Sequence, residues 1–143
     1  MESQSKLTRI FCSQAPQPNG HYAQAILHSD TIYISGQLGI TKGTPDPEKL
    51  SVSDQMLFAL RNIENIAGTM GASRSDVIKT TIYVTGIEHW NEANRAYASF
   101  FSDHKPARSV VPCRELHFGA KIEVEAIIAL PSAAPDADAT TTR

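Results

Sequence analysis

Two segments of the chain repeat apolar residues at the spacing of an amphipathic helix. The apolar stripe of the first segment consists of Met56, Leu60, Ile63, Ala67 and Met70. Ser51 with Asp54 resembles an N-terminal cap for this helix, and Gly71 is a stop signal at its C-terminal end. The second helix is predicted over roughly 88–101, and its stripe consists of Trp90, Ala93, Tyr97, Phe100 and Phe101.

Period-two alternation predicts strands on both sides of these helices. The stretch "AQAILHSDTIYISGQLGI" is typical of a hairpin, with strands at 25–27 and 32–34 and a turn at 28–30. In "DVIKTTIYVTG" one side consists of Ile78, Thr80, Ile82 and Val84, and the other of Lys79, Thr81 and Tyr83. In "KIEVEAIIAL" one side consists of Ile122, Val124, Ala126, Ile128 and Leu130, and the other of Lys121, Glu123, Glu125, Ile127 and Ala129. The β-branched run 109–111 predicts a further, buried strand.

This order of elements predicts an α+β sandwich in which two long helices cover one face of a mixed β-sheet. The opposite, open face carries the polar residues Thr81, Tyr83, Glu123 and Glu125 together with the apolar Ile127 and Ala129. That mixture is too polar for a monomer core and too apolar for solvent, so we expect it to be a subunit interface. A single domain is expected over residues 1–130, with an irregular lead-in at 1–14 and a flexible tail at 131–143.

Composition and charge exclude several classes of protein. Of the 143 residues, 41% are hydrophobic and 20% are charged, and the formal net charge is −2, which favours a globular protein that does not bind nucleic acid. No apolar run is long enough for a membrane span, and the N-terminal sequence lacks a secretory signal. We therefore expect a cytoplasmic protein, with organellar import left open. The only cysteines are Cys12 and Cys113, both expected to be reduced, and no spacing typical of a metal site is present.

Arg108 and Glu123 are the candidates for chemistry. Arg108 directly precedes the apolar run 109–111, and a guanidinium there can hold a carboxylate through two parallel hydrogen bonds. The alternative is an ion pair within the chain, with Glu123 or Glu125. Glu123 lies in the middle of a strand, where it can act as a general base on water or simply face solvent or the edge of an interface.

Other candidates have weaker signals in the sequence. Asn94 interrupts the apolar stripe of the second helix, so its amide needs a partner, either neighbouring backbone, which we favour, or a ligand. Tyr22 and Ser35 lie near Gly20 and Gly36, where backbone can approach closely. Cys113 is interpreted as a core thiol, and the dispersed histidines His21, His104 and His117 assemble no triad.

Six segments together resemble the Rid family (YjgF/RidA, reactive intermediate deaminases). They are "GHYAQA", "IYISGQLGI", "VIKTTIYV", "NRAYASFF", "PARSVV" and "KIEVEAIIAL", in family order and near family spacing over about residues 15–130. The resemblance implies a chorismate-mutase-like sandwich that assembles as a homotrimer with clefts between subunits. It also implies cofactor-free and metal-free hydrolysis of 2-imino or 2-enamino acids to 2-keto acids, with release of ammonia.

The resemblance further implies a role for each candidate. Arg108 matches the residue that holds the carboxylate of a small-molecule substrate, and Glu123 matches the acid that activates the hydrolytic water. The matching substrate-binding positions are Tyr22, Ser35, Gly36, Asn94, Val110 and His117.

Several residues near this predicted pocket depart from the family pattern. His21 stands where proline commonly precedes the tyrosine, Val110 where cysteine is frequent, and His117 where proline usually follows leucine. The link from "FF" to "PAR" is also short. These departures motivate a second hypothesis, a specialised enzyme that acts on a larger imine or carbonyl intermediate with His117 as an acid or base. A third is a non-catalytic trimer that binds a carboxylate metabolite, and a ribonuclease is least favoured because no basic groove is evident.

Overall fold

The computed structural model describes residues 6–41 and 46–131. Within them the chain forms the strands β1 (Thr8–Ile10), β2 (Ala25–His28), β3 (Thr31–Leu38), β4 (Val77–Val84), β5 (Ala107–Pro112) and β6 (Ile122–Ala129). The two long helices are α1 (Val52–Gly68) and α2 (Trp90–Phe101). Single 3-10 turns lie at Pro47–Lys49, Arg74–Asp76, Ile87–His89 and His117–Gly119. Apart from residue 131, the predicted tail lies outside the described residues, as do residues 1–5 of the lead-in.

The strands form one sheet in the order β1-β2-β3-β6-β4-β5. All neighbours are antiparallel except β4 and β5, which are parallel and joined by α2 in the crossover that a parallel pair requires. Helix α1 packs on β3 and β6 and against α2. The predicted α+β class, with a mixed sheet and two long helices, is therefore confirmed.

The core lies between the helices and the sheet face they cover, here called the helix face. The α1 stripe is buried as predicted at Met56, Leu60, Ile63 and Ala67. The predicted N-terminal cap is also present, since the Ser51 Oγ accepts a hydrogen bond from the Asp54 N–H over 3.0 Å. Gly71 follows the end of α1 by three residues and takes the left-handed conformation, with φ at 83°, that turns the chain away from the helix.

The predicted stripe of β4 is wrong at its first residue. Ile78 was expected beside Thr80, Ile82 and Val84, but it is 47% exposed, whereas Val77 is only 4% exposed. The pairing of β4 with β6 shifts between Val77 and Lys79. A bulge of this kind reverses the alternation for one step, so Val77 enters the core in place of Ile78.

The two edges of the sheet also differ from expectation. The lead-in predicted to be irregular contains β1, which pairs with β2 and buries Ile10. The run 109–111 was predicted to be a buried strand, but β5 is the edge strand at the other end and is mostly exposed. β-Branched composition alone does not distinguish a central strand from an edge strand, because burial depends on what packs on either side.

Candidate functional site

A bulge in β3 creates the centre of the site. The pairing of β3 with β6 shifts between Ile34 and Gln37, so Ser35 and Gly36 leave the regular ladder. A Cβ built on Gly36 would overlap Oε2 of Glu123 and lie 3.0 Å from its Cδ. Only glycine therefore lets the Glu123 carboxylate lie directly against the β3 backbone.

A cavity of about 400 Å³ opens at this point. Its lining consists of Pro16, Gln17, Asn19, Tyr22, Gln24, Ser35, Gly36, Gln37, Leu38, Ile40, His117, Phe118 and Glu123. Gln24 and Gln37 are buried and form part of its floor, whereas Tyr22 and Phe118 are about half exposed and lie at its mouth. Five predicted site residues share this cavity: Tyr22, Ser35, Gly36, His117 and Glu123.

The environment of Glu123 makes its carboxyl group more basic than an exposed glutamate. Burial is the main cause that raises the pKa of Glu123, and the neighbouring Glu125 carboxylate raises it further. The electrostatic interaction with His117 acts in the opposite direction and lowers the pKa of Glu123. A partly desolvated carboxylate facing a cavity is an arrangement suited to accepting a proton.

The wall of the cavity depends on a residue that the sequence analysis missed. The Gln24 amide accepts a hydrogen bond from the Cys12 N–H over 2.7 Å and donates to the carbonyls of Cys12 and Pro16 over 3.1 and 3.0 Å. These bonds hold the segment before β2 against the sheet. The only signal in the sequence is a glutamine between Ala23 and Ala25 at the start of an apolar strand, which does not reveal its partners.

Arg108 lies on the helix face of β5, at the edge of the sheet. Its Nη1 donates to the Asn94 Oδ1 over 2.9 Å, and its guanidinium carbon lies 4.9 Å and 4.8 Å from the ring centroids of Trp90 and Tyr97. The Tyr97 hydroxyl is in turn bonded to the buried Thr80 hydroxyl at 2.8 Å. Two rings and one amide from α2 therefore fix the position of this cation.

One alternative for Arg108 is not found, and the partner favoured for Asn94 is wrong. In the residues that the structure describes, Arg108 makes no ion pair with Glu123 or Glu125. The Asn94 amide bonds the Arg108 side chain and not neighbouring backbone. The sequence did not reveal these contacts because the pairing of β5 with β4 could not be known from local spacing.

Arg108 and Glu123 do not meet within one chain. Arg108 pairs with Thr80, whose side chain points toward α2, whereas Glu123 pairs with Tyr83 on the open face. The strands β5 and β6 are also separated by β4, which places them roughly 9.6 Å apart at the usual strand spacing. Val110 pairs with Ile82 and so shares the helix face with Arg108. The predicted residues thus form two groups on opposite faces of the sheet.

The remaining candidates show no arrangement for nucleophilic chemistry. Cys113, predicted to be a core thiol, is only partly buried, and burial together with the nearby Glu123 charge raises its pKa, which favours the unreactive thiol. His104 Nε2 lies 2.8 Å from the Val77 carbonyl oxygen, and His21 is exposed and does not line the cavity. The described part of the chain contains no cluster of three potential metal ligands and no helix long and apolar enough to span a membrane.

Comparison with known families decides the ancestry of this fold. Residues 12–130 match the family model described as endoribonuclease L-PSP. The chain belongs to this family, the YjgF/RidA family. The protein HMF1 of Saccharomyces cerevisiae is 35% identical to this chain over 125 residues, covering 86% of this chain and 95% of HMF1. The human protein named 2-iminobutanoate/2-iminopropanoate deaminase is 34% identical over 118 residues, covering 82% of this chain and 86% of that protein.

Solved structures of this family share the fold. The crystal structure of the yeast protein YEO7 aligns with a TM-score of 0.83 at 34% identity, covering 88% of this chain and all of that chain. The Escherichia coli protein TdcF, solved with bound serine, aligns with a TM-score of 0.80 at 31% identity, covering 85% of this chain and 98% of TdcF. The L-PSP family fold therefore extends over nearly all of the described residues.

Proposed function

We propose that the chain hydrolyses 2-imino or 2-enamino acids to 2-keto acids and ammonia without a cofactor. Proteins about 34% identical, from Homo sapiens and Dermatophagoides farinae, are named 2-iminobutanoate/2-iminopropanoate deaminases. An imine carbon is already electrophilic. The protein therefore has to fix the substrate carboxylate, position a water molecule and move protons, which side chains alone can do.

The proposal rests on how the Arg108 guanidinium is exposed and held. The guanidinium is exposed, is held by Asn94, Trp90 and Tyr97, and has no carboxylate partner among the described residues. Its two neighbouring rings and one amide leave further N–H donors available, since a guanidinium carries five. A cation positioned in this way is suited to bind a planar carboxylate from outside the chain.

In the proposed reaction Glu123 is the general base. Its carboxylate takes a proton from water as the water oxygen forms a bond to the imine carbon, and the C=N π electrons move to nitrogen, which takes that proton from Glu123. A carbinolamine results, and Glu123 is again ionised. Glu123 then takes the carbinol proton and passes it to nitrogen, so that the C–N bond breaks with its electron pair leaving on nitrogen as ammonia and the carbinol oxygen becomes the keto oxygen. The raised pKa of Glu123 suits this role, because a more basic carboxylate accepts a proton more readily.

The proposal also requires more than one copy of the chain. Because Arg108 and Glu123 lie on opposite faces of the sheet, a substrate can contact both only where the helix face of one copy meets the open face of another. The open face is suited to such contact, since Tyr33 is 46% exposed there beside Ile127, its pairing partner on β6. We propose a homotrimer whose sites lie between subunits, as the sequence resemblance implies.

A coupled assay tests the activity. A threonine dehydratase generates the four-carbon imino acid, and keto-acid release is followed with the wild type, Arg108→Lys and Arg108→Ala. We expect kcat/KM to fall at least about 100-fold in Arg108→Ala and to remain low in Arg108→Lys, because lysine cannot form the paired hydrogen bonds. Arg61→Ala, which removes an exposed arginine from α1, is the matched control and should retain full activity. Unchanged turnover in Arg108→Ala would refute the assigned role.

Mixing two inactive variants tests whether the site is shared. Arg108→Ala and Glu123→Gln are unfolded together, refolded as a mixture and assayed. If each site takes Arg108 from one copy and Glu123 from another, random assembly leaves about a quarter of the sites intact. Activity should therefore return to roughly that fraction of the wild-type value. A mixture as inactive as its components, although the chains co-assemble, would exclude a shared site.

A further inference from the structure

Two aromatic rings form a rim at the mouth of the cavity. Phe118 and Tyr22 both line it, yet Phe118 is 50% exposed and Tyr22 is 48% exposed. The His117 ring lies beside Phe118, with 5.8 Å between the ring centroids. Large aromatic side chains are normally buried, so two exposed rings at the opening of one cavity mark a surface suited to apolar ligand groups.

The backbone at Phe118 is strained. Its φ of 60° and ψ of 25° place it in the left-handed region, where the Cβ of any residue except glycine is crowded by its own backbone. Neighbouring Gly119 has a φ of 70°, which glycine adopts freely. Backbone strain of this kind concentrates at functional sites, so a bulky side chain in a strained, exposed turn beside a cavity indicates a role in the site.

The part of the site that one chain provides already has more room than a small imino acid requires. Its volume of about 400 Å³ lies within the range of pockets that enclose ligands of drug size, roughly 300–1,000 Å³. The reacting end is defined by Glu123 and Gly36, and the aromatic rim lies at the mouth. A substrate of three or four carbons has too small a side chain to cover two aromatic rings.

We propose that the site prefers 2-imino acids with an aromatic side chain, whose ring packs against Phe118 and Tyr22 at the mouth of the cavity. The inference rests on the proposed function and adds the substrate class. Phe118 is then a specificity-determining residue, because it contacts the part of the substrate that distinguishes aromatic from small imino acids. The reacting group lies at the other end, against Glu123 and Gly36.

A comparison of two substrates tests this preference. An L-amino acid oxidase with catalase generates imines from phenylalanine and from alanine, and semicarbazide captures the imine that the protein has not hydrolysed. We expect kcat/KM to be at least about tenfold higher for the phenylalanine-derived imine, since even one methylene in an apolar pocket changes selectivity by that order. Phe118→Ala should bring the ratio close to one, and Phe118→Tyr, which retains a ring, should preserve it.

The control is chosen so that loss of folding does not imitate loss of preference. Phe58→Ala makes the same change on α1, outside the cavity, and should leave the ratio unchanged. Because both substrates are measured with one preparation of each variant, a reduced active fraction cancels in the ratio. A wild-type ratio near one, or a preference that survives in Phe118→Ala, would overturn the aromatic site while leaving imine hydrolysis established.

Binding decides the question if no imine is hydrolysed. That result would overturn the proposed function, and calorimetry with phenylpyruvate and pyruvate would then test the rim separately. Phenylpyruvate binding at least about tenfold tighter than pyruvate, with the difference lost in Phe118→Ala, would support the aromatic site. Equal affinities of the wild type for the two acids would reject it.

Discussion

Gly36→Ala is the substitution with which we would test how the Glu123 carboxylate is positioned. The new Cβ would overlap Oε2 of Glu123 and lie 3.0 Å from Cδ and 3.3 Å from Cγ, whereas ordinary van der Waals contact begins at 3.4 Å. The obstructing atoms belong to the end of a flexible side chain, so Glu123 moves and the strand stays. We expect its carboxylate to shift by on the order of 1 Å.

A shift of this size affects catalysis far more than folding. Misplacement of a reacting group by about 1 Å costs on the order of 100-fold in rate, which corresponds to about 2.7 kcal/mol of transition-state stabilisation. The free energy of unfolding should change by no more than about 1 kcal/mol, because a side chain can rotate away from the new methyl group. The main effect should fall on kcat, since the group that moves is the proposed base.

Two other glycines of the same chain provide matched controls. A Cβ on Gly39 would lie 2.6 Å from the backbone Cα and O of Gln55, so Gly39→Ala should destabilise the fold by about 1–3 kcal/mol. Gly68, the last residue of α1, has nothing within 4 Å of its added Cβ, so Gly68→Ala should be neutral or stabilising by up to about 1 kcal/mol.

Steady-state kinetics and urea denaturation of the three variants separate these effects. Gly36→Ala should lose kcat at nearly wild-type stability, Gly39→Ala should lose stability, and Gly68→Ala should lose neither. Wild-type kcat in Gly36→Ala would refute the positioning argument. A large rise in KM at unchanged kcat would instead show that the methyl group blocks the substrate, and Glu123 would not be the affected group.

Two further predictions concern stability. Tyr97→Phe removes the partner of the fully buried Thr80 hydroxyl and should lower the free energy of unfolding by about 1–3 kcal/mol. The double variant with Thr80→Val should recover most of that loss, because neither hydroxyl is then left without a partner. Additive losses of the two single variants in urea denaturation would contradict this. Because burial raises the pKa of Glu123, the folded chain binds that proton more tightly than the unfolded chain, and stability falls as pH rises from the ordinary value of 4.5 through the folded pKa. Glu123→Gln should therefore be more stable than the wild type at neutral pH, and this gain should disappear below pH 4.5. If thermal unfolding showed the same difference in stability at every pH, the raised pKa of Glu123 would not be its cause.

Local pattern predicts most of this fold but not the geometry between its elements. The α1 stripe and the hairpin of β2 and β3 depend on neighbours close in sequence, and both are found as predicted except for Met70, which lies beyond the last residue of α1 and is only partly buried. Ile78 was misplaced because a bulge breaks the alternation, and a bulge has no clear signature in the sequence around it. The partners of Arg108 were missed for a related reason. Whether β5 is central or at an edge, and which residue it pairs with, is decided by β4 and α2.

The candidate site shows the same difference between positions within one strand, which could be predicted, and contacts between elements, which could not. Glu123 was predicted on the open face from alternation within β6 alone, and the structure places it there opposite Tyr83. Gln24 was missed because its importance lies in three bonds to residues 8 to 12 positions earlier in the chain, which hold the cavity wall. The close contact of Gly36 with Glu123 brings together residues from different strands, and no local spacing predicts it.

The strand order has a consequence for biosynthesis. β6 is the last strand of the described chain, yet it lies in the middle of the sheet. It pairs with β3 on one side and with β4 on the other, and so joins the group β1-β2-β3 to the pair β4-β5. Until β6 has been made, the other strands can pair only as two separate groups, each with an unpaired edge. Insertion of β6 closes both edges and, in the same step, brings Glu123 against Gly36. The carboxylate of the candidate site is therefore in place only once the sheet is complete.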